Sequence, residues 1–258
     1  MSHSKKIKNY SIKKTTIMNK SFLLIAALLF ATASHAQWWG NKKVKGNGNM
    51  TTETRNTGDY DGIKCAGSMD YILVAGAEGK VKLEGESNLL EHIITEIKGG
   101  NLIIKVKKDV NLSPSWNKTI KVTIPFKDIS RVSLAGSGDL WNEDKITASD
   151  FDVSLAGSGD MILNIEASSV EGSLAGSGDV TLKGNTNYLK VKLAGSGDIH
   201  AFGLQANHTE ASIAGSGDIE IVSNQSLKAR VTGSGDIEYK GKPSKEDTKV
   251  SGSGSISN

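Results

Sequence analysis

One short string governs what this chain can fold into. Gly-Ser-Gly-Asp occurs at Gly136–Asp139, Gly157–Asp160, Gly176–Asp179, Gly195–Asp198, Gly215–Asp218 and Gly233–Asp236, and a last copy, Gly252–Ser255, ends in Ser. Successive fourth positions lie 21, 19, 19, 20, 18 and 19 residues apart. A fixed period of about 20 residues marks a chain built of stacked units, each too small to bury its own apolar face.

Aligning the copies on the Asp exposes the unit. Five residues before it stand Leu134, Leu155, Leu174, Leu193, Ile213, Val231 and Val250. One residue after it stand Leu140, Met161, Val180, Ile199, Ile219, Ile237 and Ile256. Seven before, the column runs from Val132, Val153 and Gly172 to Thr248, and three after it holds Leu163, Leu182, Ile221 and Tyr239. Apolar and polar residues alternate on both sides of the corner, the pattern of half-buried strands. Each repeat therefore reads as strand, Gly-Ser-Gly-Asp corner, strand and a variable second corner. Stacked in register, the aliphatic columns become interior ladders about 4.8 Å per step. Antiparallel hairpins in a sandwich are the competing arrangement, but they do not need one corner sequence at every turn. The expected fold is all-β: a parallel β-helix-like solenoid of ~19-residue coils behind an N-terminal β cap. Two glycines around a serine permit a sharp bend, and the Asp and Ser side chains can cap amides freed there.

Composition agrees with a thin core. Hydrophobic residues are 37% and aromatics only 5%, with 29 glycines and 3 prolines, too apolar for a disordered chain but short of large core side chains. Upstream, Ala66-Gly67-Ser68-Met69-Asp70 is a degenerate corner, with Ile63, Cys65, Tyr71 and Leu73 in the apolar columns. Cys65 then reads as a small core residue. Residues 59–131 also hold strand-like runs at Val81–Glu84, Leu102–Val106 and Ile120–Ile124, and Asn88–Ile97 reads as a short helix or another strand. This region is expected to cap the solenoid formed by residues 132–258 and to cover an edge that would otherwise aggregate.

The first 36 residues read as an export signal. Phe22–Ala33 is an apolar run behind Lys20, closed by Ser34-His35-Ala36, and is too short to span a membrane. Met18 stands at the natural beginning of such a signal, which leaves residues 1–17 outside it. Residues 37–58 read as a flexible lead-in. The formal charge is +3; removing the six lysines of residues 1–36, which hold no acid, leaves −3. A mildly acidic mature chain has no electrostatic motive for nucleic acid. A single cysteine cannot form a disulfide within the chain.

The repeated Leu-Ala-Gly-Ser-Gly-Asp, the upstream Gly62–Asp70 stretch and the export signal resemble the putative autotransporter adhesin, head GIN domain family over about residues 59–240. The resemblance implies an exported bacterial protein, mostly of Bacteroidetes, with an all-β, β-helix-like fold, and it brings no catalytic or binding residues.

The column Asp139, Asp160, Asp179, Asp198, Asp218 and Asp236 is the most provocative feature. Carboxylates 4–5 Å apart repel by roughly 1 kcal/mol per pair in water and more near a protein surface. Backbone and hydroxyl hydrogen bonds, or a bound cation, would have to offset this. Calcium is the cation such a ladder would take, but calcium β-rolls repeat every nine residues, so turn capping is the expected role. Glu143 with Asp144, and Asp150 with Asp152, are the carboxylate pairs a glycan-cleaving β-helix enzyme could use. His92, His200 and His208 lack metal-ligand spacing. Trp38, Trp39, Trp116 and Trp141 could either stack on sugars or protein partners, or fill the ends of a thin core, the plainer role. The expected function is an exported, non-catalytic structural or interaction module of the envelope or surface, adhesin-like, with protein or glycan partners, no membrane span and no catalytic residue. Calcium binding on the Asp column and glycan cleavage are the alternatives, and whether the chain stays periplasmic, reaches the outer surface or is released is left open.

Overall fold

The computed structural model describes residues 42–258, and the export signal read in residues 1–36 lies outside them. The described chain is nearly all strand. In order it forms β1 (Lys42–Lys45), β2 (Met50–Asn56), β3 (Gly62–Gly67), β4 (Asp70–Ala75), β5 (Lys80–Glu86), the four-residue helix α1 (Ser87–Leu90), β6 (Ile93–Lys98), β7 (Asn101–Val106), β8 (Val110–Ser113) and β9 (Lys121–Phe126). The repeat region continues with β10 (Arg131–Gly136), β11 (Leu140–Asn142), β12 (Ile146–Gly157), β13 (Met161–Gly176), β14 (Val180–Gly195) and β15 (Ile199–Gly215). It ends with β16 (Ile219–Val222), β17 (Ser226–Gly233), β18 (Ile237–Lys240), β19 (Lys245–Gly252) and β20 (Ile256–Ser257).

The repeats stack as a parallel β-solenoid. Before the corner, β10, β12, β13, β14, β15, β17 and β19 pair in parallel, so that Leu134, Leu155, Leu174, Leu193, Ile213, Val231 and Val250 stand in one row. After it, Leu140, Met161, Val180, Ile199, Ile219, Ile237 and Ile256 form the facing row. Both rows are buried except in the final coil, where Val250 is 40% exposed. This excludes the hairpin arrangement. The uneven spacing is absorbed away from these rows. The 20-residue step coincides with a register shift between Thr181 and Lys183. The 18-residue step leaves β16 to end at Val222, just before buried Ser223, whose hydroxyl donates to Ser226 O at 2.7 Å.

The corner obeys a stricter rule than bending. Its first glycine sits at φ between +129° and +150° in the seven copies, a conformation that favours glycine. The second glycine is needed for another reason: a Cβ on Gly159 would lie 1.9 Å from Gly138 O of the preceding coil, and the other copies are equally close. The main chain is sewn together there, with Ser158 N and Gly159 N both donating to Gly136 O at 2.9 and 3.2 Å, a pattern repeated in the next coils.

The cap is built by a detour. β3 and β4 form a first coil joined by the corner Gly67–Asp70, and β10 and β11 stack on one side of it. On the other side β7 and β9 continue the same two parallel rows, with Leu102 and Ile104 beside Ile63 and Cys65. Instead of a tight corner, residues 107–120 join them and carry β8. Antiparallel strands close this end: β6 on β7, β5 on β9 and β2 on β5. Asn88–Ile97 is thus both helix and strand, α1 followed by the start of β6. Residues 42–56, read as a flexible lead-in, hold β1 and β2. Their polar sequences gave no stripe because they lie along outer edges, largely exposed. Met69 occupies the second-glycine position of the first coil and is buried. Its Cβ is tolerated because the Cβ at this position points to the preceding coil, and the strand pair there has no matching corner.

Candidate functional site

The Asp column is a row of caps. Oδ1 of Asp139, Asp160, Asp179, Asp198 and Asp218 accepts the backbone N–H of the next Asp in the column at 2.7–3.2 Å. Asp236 does the same for Ser255 N at 2.6 Å and also accepts its hydroxyl at 2.9 Å. One carboxylate oxygen per coil is thereby committed to an amide, which offsets the repulsion between neighbours. Among the described residues no three His, Cys, Asp or Glu side chains gather where they could hold a metal ion. The upstream Asp70 is different: burial raises its carboxyl above the usual range, partly countered by a hydrogen bond from Thr119.

The other sequence candidates are scattered. Asp144 accepts Ala75 N at 2.8 Å, and Asp152 lies 3.9 Å from Arg131. His200 pairs with Glu220 at 3.1 Å, and His92 lies 3.5 Å from Glu91. Cys65 is buried in the core, and burial pushes its thiol up. Trp141 is half-buried on β11, and Trp38 and Trp39 fall outside the described residues. Trp116 contradicts the core-filling reading, because 91% of it is exposed.

Two places remain that present an organised surface. The first is the second corner of the coils, along which three shallow grooves of about 610, 560 and 370 Å³ follow one another. In the largest, Tyr188 and His208 occupy paired positions of β14 and β15 and stack with ring centroids 4.8 Å apart and planes 19° apart. His208 Nδ1 is fixed by Ser226 Oγ at 2.8 Å, and Tyr188 remains 54% exposed. Lys190, Glu210 and Lys228 line the same groove, the last two paired at 2.9 Å. Sequence reading missed this pair because the variable corner breaks the period, and only an alignment on the second corner brings Tyr188 beside His208.

The second place is the loop that carries Trp116. Buried Glu86, at the end of β5, accepts Ser115 N at 2.8 Å, Ser115 Oγ at 2.6 Å and the amide of Gly48. These donors, the Ser115 hydroxyl first, hold the Glu86 carboxyl below the usual range. Lys118 Nζ donates to Gly48 O, closing the loop against the turn between β1 and β2. Trp116 therefore projects from a pinned loop.

No curated protein matches the chain. Among solved structures, a putative adhesin from Bacteroides fragilis is 27% identical over 83% of this chain and 99% of its own, with a TM-score of 0.76. A putative lipid binding protein from Parabacteroides distasonis is 30% identical over 84% of this chain and 99% of its own, with a TM-score of 0.71. A putative adhesin from Parabacteroides merdae, 22% identical with a TM-score of 0.67, shares the fold over 84% of this chain and 98% of its own. The family model described as putative auto-transporter adhesin, head GIN domain, matches residues 59–243. With that match covering most of the length, the chain belongs to the auto-transporter adhesin, head GIN domain family.

Proposed function

We propose that this protein is an exported, non-catalytic interaction module of the adhesin type, which holds a glycan in the groove of its second corner. The observation that carries the reading is the stacked Tyr188–His208 pair in the 610 Å³ groove. An exposed aromatic face flanked by Ser169, Ser226, Lys190 and Glu210 offers an apolar platform for a pyranose ring and hydrogen-bonding groups for its hydroxyls. The uniform coils supply rigidity, so little ordering is needed on binding. The family membership and the adhesin descriptions of its structural relatives support the class.

The test is binding of residues 41–258, one compact unit, to a printed array of oligosaccharides, repeated with Tyr188→Ala. Binding to a subset of glycans that the variant loses supports the proposal. An empty array, or equal binding by the variant, overturns it.

A further inference from the structure

The end of the molecule that carries Trp116 is charged unlike the rest. Residues 42–52 and 101–121 hold eight lysines and one acid, Asp109. Lys42, Lys43, Lys45, Lys107 and Lys108 are exposed and form no ion pair among the described residues. Four lysines of the coils do find partners: Lys145 pairs with Glu166, Lys190 and Lys192 with Glu171 at 3.0 and 3.2 Å, and Lys228 with Glu210; at the cap Lys105 pairs with Glu96. The topology gathers the unpaired lysines. β1 lies parallel to β8, with Lys43 opposite Asn111 and Lys45 opposite Ser113. Val44 packs against the core, so Lys43 and Lys45, its neighbours along the strand, face outward. Lys42 N donates to Asp109 O at 2.8 Å, which sets Lys107 and Lys108 beside the start of β1. Three residues beyond Ser113 stands Trp116. Met50, 52% exposed, pairs directly with Glu86 across β2 and β5, beside the same anchor.

From this juxtaposition we propose that the N-terminal cap is a docking face for an anionic lipid bilayer, with Trp116 as the side chain that enters the interface. Unpaired lysines gain about 1 kcal/mol each near an anionic leaflet, and tryptophan favours the boundary between headgroups and acyl chains. A protein partner of opposite charge would satisfy the lysines too, but a single projecting indole beside a spread of unpaired lysines matches the anchor and the charge that a lipid interface takes. Docking of this kind is reversible and salt-sensitive, since one aromatic side chain anchors only weakly.

Residues 41–258 are mixed with vesicles of phosphatidylcholine alone and of phosphatidylcholine with phosphatidylglycerol, and bound protein is measured by flotation. The expected result is binding only to the phosphatidylglycerol vesicles, lost in high salt. Lys43→Gln with Lys45→Gln should weaken it about 25-fold, two lysines at roughly fivefold each. Trp116→Ala should weaken it several-fold and abolish the blue shift of the emission. All three side chains are exposed, so circular dichroism should not change and the melting temperature should not fall. Tyr188→Ala should leave vesicle binding intact, which separates this face from the glycan groove. Equal binding to neutral vesicles, no binding to anionic ones, or heparin bound while vesicles are ignored would each overturn the proposal, the last by pointing to a soluble polyanion.

Discussion

The cap and the coils solve the same stacking problem with different chemistry. In the coils every corner stacks on the corner of the coil before it, which leaves no room for a Cβ at either glycine. At the first coil the corner has a copy on one side only, and Met69 stands where every later coil has glycine. The second glycine is thus imposed by the neighbouring coil, whereas the first is also required by the turn itself, since Gly67 keeps a φ of +130° where a Cβ would meet nothing closer than 3.4 Å. The charges differ as well: Lys145, Lys190, Lys192 and Lys228 pair between coils, whereas Lys42, Lys43, Lys45, Lys107 and Lys108 of the cap form no ion pair among the described residues, although Lys82 and Lys105 do. What is periodic in this molecule is spent on stacking, and what is irregular is free to meet a partner.

The sharpest way to break this comparison is to give a coil the side chain that the cap tolerates. Gly178→Ala places a Cβ 1.9 Å from Gly159 O. It should cost about 3 kcal/mol or more, lowering the melting temperature by at least ~6 °C for a chain of this size. Met69→Leu, at the equivalent position, should cost less than about 1.5 kcal/mol as a volume-conserving change. Equal losses at the two sites would refute the neighbour-coil explanation.

A smaller effect belongs to the Asp column. Asp179→Ala removes the acceptor 3.0 Å from Asp198 N and should cost about 1 kcal/mol. Asp179→Asn keeps an acceptor and relieves like-charge repulsion, so thermal unfolding should find it near wild type. Melting curves in millimolar calcium and in chelator should agree within about 2 °C. A larger calcium stabilisation, lost in Asp179→Asn, would turn the column from caps into a cation ladder.

Local order around Trp116 should respond to pH without the coils following. Glu86 has a lowered pKa in the folded protein, so its contribution is fully present above the ordinary glutamate value of 4.5 and is lost as pH falls through the folded value. The protection of amides at residues 46–48 and 113–117 against exchange, taken relative to their intrinsic rates, should therefore fall once the pH drops well below 4.5, while residues 161–176 stay protected. Glu86→Gln should show that loss already at neutral pH. Protection of the loop at low pH equal to that of the coils would remove Glu86 as its anchor.

The solenoid was legible from sequence because its constraint repeats: the rows through Leu155 and Met161 are the period itself. The cap was only partly legible. Ile63, Cys65, Tyr71 and Leu73 keep the columns, but β7 and β9 take the place of a coil after a detour that leaves no period to detect. β1, β2 and β8 have too few apolar residues to announce themselves. The candidate sites were least legible. Tyr188 and His208 meet across a corner whose sequence varies. The exposure of Trp116 depends on Glu86, 30 residues earlier in the chain, and on Gly48 in the turn after β1.

The smallest predicted effect carries the clearest sign. Lys228 and Glu210 form an exposed pair between two coils, so Lys228→Gln should cost no more than about 0.5 kcal/mol. Lys43→Gln should cost nothing and should raise stability slightly, because Lys42, Lys45, Lys107 and Lys108 surround it with like charge. Raising the salt concentration should shrink both effects together, since both are surface electrostatics. Chemical denaturation of the two variants at low salt decides it: opposite signs mean that the coils use their lysines for cohesion and the cap holds its lysines in reserve for an external anion. A loss at Lys43 equal to that at Lys228 would mean that the cap lysines already serve the fold.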